Sequence, residues 1–270
     1  MFSIMLKNRR YDFDLENPYD ISIPMKFDSS HPIGWEAPPA SATTYVVKGF
    51  IGDTRRGGSC NVREYRFIPH CHGTHTECIG HISDRAIYVN DILKKAFIPS
   101  TLITIKPQSS IQVRDSYFPD KKNGDKLIVR DSLIEQLKEV NSDFLEGLII
   151  RTLPNSETKK SQDYSKESFP FFSLEAMQYL VKLNIKHLLV DMPSVDRQRD
   201  GGYLSIHRLF WNVPLKGYNI KPETASLKTI SEMIYVPDWI KDGSYLLNLQ
   251  IPAFMTDAAP SRPILYRTSS

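Results

Sequence analysis

The sequence predicts an α/β fold in a single domain covering residues 1–270, and three observations carry that prediction. Two short segments, "GLIIRT" (147–152) and "HLLVDM" (187–192), are nearly continuous apolar runs, as strands buried on both faces should be. An amphipathic helical segment lies between them, which makes a strand–helix–strand unit with a parallel pair. No internal repeat, low-complexity tract or inter-domain linker interrupts the chain. At 270 residues, 41% hydrophobic and 24% charged, it has the composition of a globular protein with a substantial core.

In chain order, "YDISIP" (19–24), "TTYVVKGF" (43–50), "LITIK" (102–106), 147–152, 187–192 and "SYLLNLQI" (244–251) read as strands. They are β-branched and apolar, bounded by Gly, Pro, Asn and Asp. "DSLIEQLKEV" (131–140) reads as a helix, with Leu133, Ile134 and Leu137 at helical spacing. "SLEAMQYLVKLN" (173–184) is the second helix. Ser173 is its N-cap, Leu174, Met177 and Val181 form its apolar stripe, and Asn184 ends it. Segments 107–127 and 154–169 are polar surface loops. "GDTRRGG" (52–58) is a loop whose glycines lack phosphate-loop spacing.

Charge and cysteine usage exclude several classes. The net charge is +3, with 34 basic and 31 acidic residues and no long like-charged run, so neither nucleic acid nor a membrane surface is an expected partner. No apolar run approaches the ~18 residues of a membrane span. The start, "MFSIMLKNRRYDFDLE", lacks the apolar core and cleavage site of a signal peptide. Three cysteines, Cys60, Cys71 and Cys78, make no disulfide framework, and a cytoplasmic setting fits them. No G-x-S-x-G elbow supports a serine triad from Ser194, Asp196 and His207.

The densest chemistry lies in "HCHGTHTEC" (70–78) with His81 beyond it. In an extended segment alternate residues share a face. Cys71, His75, Glu77 and His81 have one parity and are all competent metal ligands; His70, His72 and Cys78 have the other and are expected to pack or support. Positions 71 and 75 would lie ~13 Å apart along a flat strand, whereas ligands of one cation sit ~2 Å from it. The chain must therefore bend, and Gly73 allows it; Gly80 allows a second turn before His81. Glu77 can bridge two cations. A cysteine protease is disfavoured, because His72 and His75 are too near Cys71 in sequence to activate it easily.

These residues resemble the H-x-G-T-H-x-D-x-P-x-H signature of the metal-dependent cyclase family, which includes bacterial kynurenine formamidases and isatin hydrolases. Gly73, Thr74 and His75 match its core, Glu77 stands for the aspartate and His81 for the last histidine. Cys71 stands at the first histidine and Ile79 at the proline. "YDISIPM", "GLIIRT", "VDMPSVD" (190–196), "YLSIHRLFW" and "TISEMIYV" are similar to further family segments, in the family's order. The resemblance implies a swivelling β/β/α fold with a mixed sheet. It implies a metal centre in which Cys71, His75 and Glu77 bind a first divalent ion. His81, His207 and Glu232 then bind a second ion or supply acid/base groups. A thiolate at Cys71 would favour zinc over manganese; a one-residue slip would put a flanking histidine there instead.

What the resemblance implies for function is hydrolysis of an amide C–N bond, in an N-formyl arylamine or a cyclic amide. A metal lowers the pKa of its water from about 15.7 to about 7. Alternatives on the same scaffold are lactone hydrolysis, dehydration or cyclisation, or a non-catalytic binding protein. Substrates in the family are often aromatic, and Trp35, in the Pro-rich "HPIGWEAPP", is the candidate substrate contact. Asp191 and Asp196 are expected to anchor the loop or hold histidines. Dimers or tetramers of identical chains are the family's usual assembly.

Overall fold

The structure is a computed structural model that describes residues 2–27 and 30–269. The strands that matter here are β1 (Phe2–Leu6), β2 (Arg9–Phe13), β3 (Tyr19–Asp20), β4 (His75–Cys78), β5 (Phe97–Ile105), β6 (Gly147–Thr152), β7 (His187–Val190), β8 (Thr229–Glu232), β9 (Gly243–Asn248), β10 (Ala258–Pro260) and β11 (Ile264–Ser269). Besides a single turn at Val89–Ile92, the α-helices are α1 (Arg130–Leu137), α2 (Leu174–Lys182) and α3 (Ser205–Trp211) among the described residues. All eleven strands belong to one sheet, in the order β1-β2-β11-β9-β5-β6-β7-β8-β4-β10, with β3 also pairing β11.

Strands β5 to β8 are parallel, and α1, α2 and α3 occupy the three successive crossovers between them. The remaining pairs are antiparallel, so the sheet is mixed as expected. Every residue of β6 is buried, because side chains alternate into two cores. Leu148, Ile150, Leu188 and Val190 face the helices and pack with Leu133, Met177, Leu180, Ile206 and Phe210. Ile149 and Leu189 point the other way, towards Ile21, Ile234, Val236, Tyr245 and Leu265.

The strand–helix–strand reading of 147–192 holds, with the second strand ending at Val190 where the expected strand runs over 187–192. Ser173 caps α2, its hydroxyl accepting from the Ala176 amide at 3.0 Å, and Asn184 leaves the helix at φ +60°. The buried stripe of α2 is Ala176, Met177 and Leu180; Leu174 and Val181 pack at its margin. On α1, Leu133 and Leu137 are buried but Ile134 is exposed.

Two expected strands differ. Of 19–24 only Tyr19–Asp20 joins a ladder. Beyond it the chain stays tethered, with the Ile21 amide on the Pro263 carbonyl and the Ile23 amide on the Thr74 hydroxyl. These partners lie outside any strand, so no ladder forms. Segment 43–50 splits at Tyr45, the first part pairing with Arg63–Arg66 and the second turning back through Gly49 to Phe50–Ile51. Among the described residues no helix is long and apolar enough to cross a membrane.

The parallel strands β6, β7 and β8 end at one edge of the sheet. This carboxyl edge is where an open α/β sheet presents its loops to a ligand. Glu232 is the last residue of β8, and β4 runs antiparallel beside it with His75 directly opposite.

Candidate metal centre

Strand β4 supplies the centre's first two groups. His75 and Glu77 share a face by strand alternation, and both are fully buried. Gly73, at φ +88°, makes the bend that brings the preceding segment back. The fixed partner of each histidine decides which nitrogen is left over. His75 Nδ1 donates to the Gly73 carbonyl at 3.0 Å, which leaves Nε2 3.4 Å from Glu232 Oε2. His207 Nδ1 donates to Asp196 Oδ2 at 2.6 Å, which leaves Nε2 2.9 Å from Glu77 Oε1 and 3.6 Å from Glu232 Oε1. Glu232 Oε1 in turn accepts from the Val195 amide at 3.0 Å.

Two donor groups result, both containing Glu77. His75, Glu77 and Glu232 form a wholly buried group; His70, Glu77 and His81 form one nearer the surface. His207 joins the buried group through its short approaches to both carboxylates.

These donors fit a divalent cation. His75 Nε2, His207 Nε2 and both Glu77 oxygens are buried and lack an aligned hydrogen bond, although their neighbours stand close. A buried polar atom without a partner is costly. Ligand atoms of His75, Glu77 and Glu232, from β4 and β8, all lie within 4.8 Å of one another, close enough to share one ion. Imidazole nitrogen and carboxylate oxygen suit zinc and other divalent transition ions, and carboxylate also suits manganese.

Charge in the centre is tightly matched. Burial disfavours ionised Glu77, yet the charges of His81 and His207 and contacts from His207 and His70 outweigh it, and its carboxyl is held well below the ordinary range. Burial likewise opposes a charged His207, but Glu77, Asp196 and Glu232 raise its pKa well above 6.5. For His70, burial is again overcome, by Asp257 and Glu77, and the pKa stands at about 10.

The first ligand differs from the parity expectation. Cys71 belongs to neither donor group among the described residues, and His70 stands at the centre instead. Residues Pro69–Cys71 form a 3-10 turn. There side chains step by about a third of a turn, so strand alternation does not apply. Burial pushes the Cys71 thiol up, against the thiolate a metal needs. The preference for zinc argued from sulfur falls away with it. His72 leaves the site: its Nε2 contacts the Pro38 carbonyl at 2.9 Å and its Nδ1 accepts from the Ile68 amide at 2.8 Å. Cys78 is core, as expected.

The expected partition between two ions also changes, because Glu232 and His207 group with His75, and His81 groups with His70. Asp196 holds His207, and Asp191 anchors the end of β6 through the Thr152 amide and hydroxyl. Asp257 escaped notice in the sequence because "MTDAAP" carries no motif. Its carboxylate lies 2.9 Å from His70 Nε2 and 3.5 Å from His81 Nδ1.

Trp35 is not part of the metal cluster. It is 43% exposed, sits at φ +52° beside Glu36 at φ +56°, and meets Phe169 edge-on at 6.4 Å. Phe169 lines a cavity of about 400 Å³ with Tyr164, Phe171, Met192, Lys159 and Arg197. No metal-centre residue lines this cavity, but segment 191–198 serves both: Met192 and Arg197 face the cavity, while the Val195 amide and Asp196 carboxylate serve the centre.

Gly80 sets the approach of His81. A Cβ there would meet the Ile87 carbonyl oxygen at 2.1 Å. Gly80→Ala is expected to cost ~1–3 kcal/mol of stability by overpacking and to weaken metal binding by shifting His81. Denaturant melts with metal titrations check this, and an unchanged midpoint would show that the Ile87 segment yields freely.

Comparison with known proteins agrees with this construction. Residues 19–197 match the model of the Cyclase family, described as "Putative cyclase". A kynurenine formamidase from Bacillus cytotoxicus is 24% identical over 212 residues, covering 78% of this chain and 82% of that protein. Among solved structures, an isatin hydrolase bound to the product analogue thioisatinate superposes with TM-score 0.63 at 14% identity, covering 94% of this chain and 93% of that one. A "predicted metal-dependent hydrolase" from Bacillus stearothermophilus gives TM-score 0.57 at 19% identity, covering 93% and 98%. With the family model covering residues 19–197, well over half of the sequence, the chain belongs to the cyclase family, and these relatives are named as a formamidase and hydrolases.

Proposed function

We propose that this chain is a metal-dependent hydrolase that cleaves an amide C–N bond, in an N-formyl arylamine or a cyclic amide. The observation that carries the reading is the convergence of unpartnered, buried donor atoms on Glu77. The named activities of the formamidase and isatin hydrolase relatives support the bond type. His75, Glu77, Glu232 and His207 would hold an inner ion, and His70, Glu77 and His81 an outer one. Zinc is the first candidate and manganese the second. When bound, such an ion acidifies water and polarises the substrate carbonyl.

The chain's own groups do the rest. His207 and Glu232 each have one atom committed to the segment 195–196 and the other turned inward. Both are buried, and they hold position rather than supply the leaving-group proton. The open side carries His81 and Asp257, with side chains 27% and 40% exposed, and the proton for the leaving nitrogen enters there. The cavity walled by Phe169, Phe171 and Tyr164, which adjoins the centre through segment 191–198, is the candidate for the aromatic part of the substrate.

The test is to measure bound metal and then hydrolysis of N-formylkynurenine, isatin and simple lactones, with His81→Ala alongside. Two ions per chain and amide hydrolysis are expected. His81→Ala should keep the inner ion and lose roughly a hundredfold or more in rate. A chain that takes up no metal on reconstitution would overturn the reading; metal with lactone but no amide hydrolysis would move it to the other reaction.

A further inference from the structure

The motif position held by Cys71 leaves the centre one histidine short, and the structure shows what replaces it. His70 Nδ1 lies 3.0 Å from Glu77 Oε2 without an aligned hydrogen bond between them. His70 Nε2, by contrast, contacts Asp257 Oδ2 at 2.9 Å in hydrogen-bonding geometry. His70 Nε2–H thus donates to Asp257, which leaves Nδ1 as the ring atom facing the same Glu77 oxygen that His81 Nδ1 approaches at 4.0 Å. The His70 and His81 rings are tilted by 31° with centroids 4.2 Å apart.

Asp257 is placed by its backbone as well as by its contact with His70. Its carbonyl accepts from the Cys78 amide at 3.0 Å, and the next residue, Ala258, pairs with Glu77 across β10 and β4. On the other side the Thr256 carbonyl accepts from the Val89 amide at 2.8 Å. The carboxylate is therefore delivered beside Glu77 by the edge strand of the sheet. A carboxylate that takes one ring proton of a histidine fixes its tautomer and strengthens the other nitrogen as a ligand.

We propose that His70 replaces Cys71 as a ligand of the outer cation, and that Asp257 is the positioning residue that makes it one. This rests on the metal-centre reading above. The Cys71 thiol takes no part.

Metal-free protein should be titrated with Zn2+ and Co2+ by calorimetry and absorption, as wild type, Asp257→Ala, Asp257→Asn, His70→Ala and Cys71→Ser. For the outer ion, Asp257→Ala is expected to lose roughly 10–100-fold in affinity, Asp257→Asn less, since its amide oxygen still accepts, and His70→Ala at least as much as Asp257→Ala. Cys71→Ser should bind as wild type, and the Co2+ protein should lack a thiolate charge-transfer band. Melts of the metal-free variants separate lost affinity from lost fold. Wild-type affinity in Asp257→Ala and His70→Ala, or a charge-transfer band removed by Cys71→Ser, would overturn the inference while leaving the hydrolase reading intact. Failure of the wild type to bind any ion would defeat that reading itself.

Discussion

Glu77→Gln is expected to empty the metal centre and to depress hydrolysis by roughly a thousandfold or more. Glu77 is fully buried and is the one residue common to both donor groups. Its two oxygens face opposite ways, Oε1 towards His207 and Oε2 towards His70. An amide keeps the shape but loses the charge and one acceptor. Loss of metal assistance removes several kcal/mol of transition-state stabilisation, and each 1.36 kcal/mol is tenfold, so ~4 kcal/mol gives about a thousandfold. Metal content after gel filtration and kcat/KM on an amide substrate check it. A Gln variant that retains two ions would show that Glu77 is not the bridge.

The same carboxylate gives the metal-free protein a pH dependence of known sign. Its folded pKa lies below the ordinary 4.5. Its contribution to stability is therefore full above that value and is lost as pH falls through the lowered folded pKa. His207 behaves oppositely: with a folded pKa raised above 6.5, its contribution is full below 6.5 and is lost as pH rises through the raised value. Metal-free Glu77→Gln should lose the acid-side dependence that belongs to Glu77.

Asp196→Ala is expected to be the most damaging substitution for the fold. Asp196 is buried and accepts four hydrogen bonds: from the Tyr117 hydroxyl at 2.8 Å, the Ile206 amide at 2.9 Å, the His207 amide at 3.1 Å and His207 Nδ1 at 2.6 Å. The N-cap position of α3 is Leu204, φ +47°, whose side chain caps nothing. Asp196 caps it instead from eight residues upstream in the chain, and the same carboxylate aligns the metal-facing histidine. Removing one partner of such a buried charge pair costs ~3–5 kcal/mol, and at this size the melting temperature should fall on the order of 10 °C. Asp196→Asn should lose less, because an amide oxygen can still cap. A melt of Asp196→Ala within a degree or two of wild type would refute the role.

Local pattern made much of this molecule readable. Strands β6 and β7 announce themselves by unbroken apolar runs, and α2 by Ser173 and its stripe, because burial on both sheet faces and helix capping leave marks within a few residues. Gly73 disclosed the bend for the same reason. What failed is instructive. Alternation correctly joined His75 to Glu77 inside β4 but was carried back into a 3-10 turn, where it chose Cys71 over His70. The expected strand 19–24 pairs only at Tyr19–Asp20; beyond it the Ile21 and Ile23 amides bond to a loop carbonyl and a hydroxyl, a fact no local signal contains. Asp257 acquires meaning only when β10 pairs with β4. The family resemblance located His207 and Glu232, which composition and spacing would have passed over.

Directly opposite pairing of His75 with Glu232 has a kinetic consequence. Neighbouring residues Thr74 and Met233, which share a hydrogen bond at the same junction, are 159 positions apart in the chain. Closing loops of that length is slow, since the entropy is lost before the contact rewards it. Asp257 arrives through yet another strand. No early, locally collapsed species can therefore present the complete ligand set. On the metal-centre reading, the outer donors His70, Glu77 and His81 lie within twelve residues, whereas the inner set, which draws on β4, β8 and α3, would be complete only in a nearly finished fold, so an inner ion would report that the fold has closed.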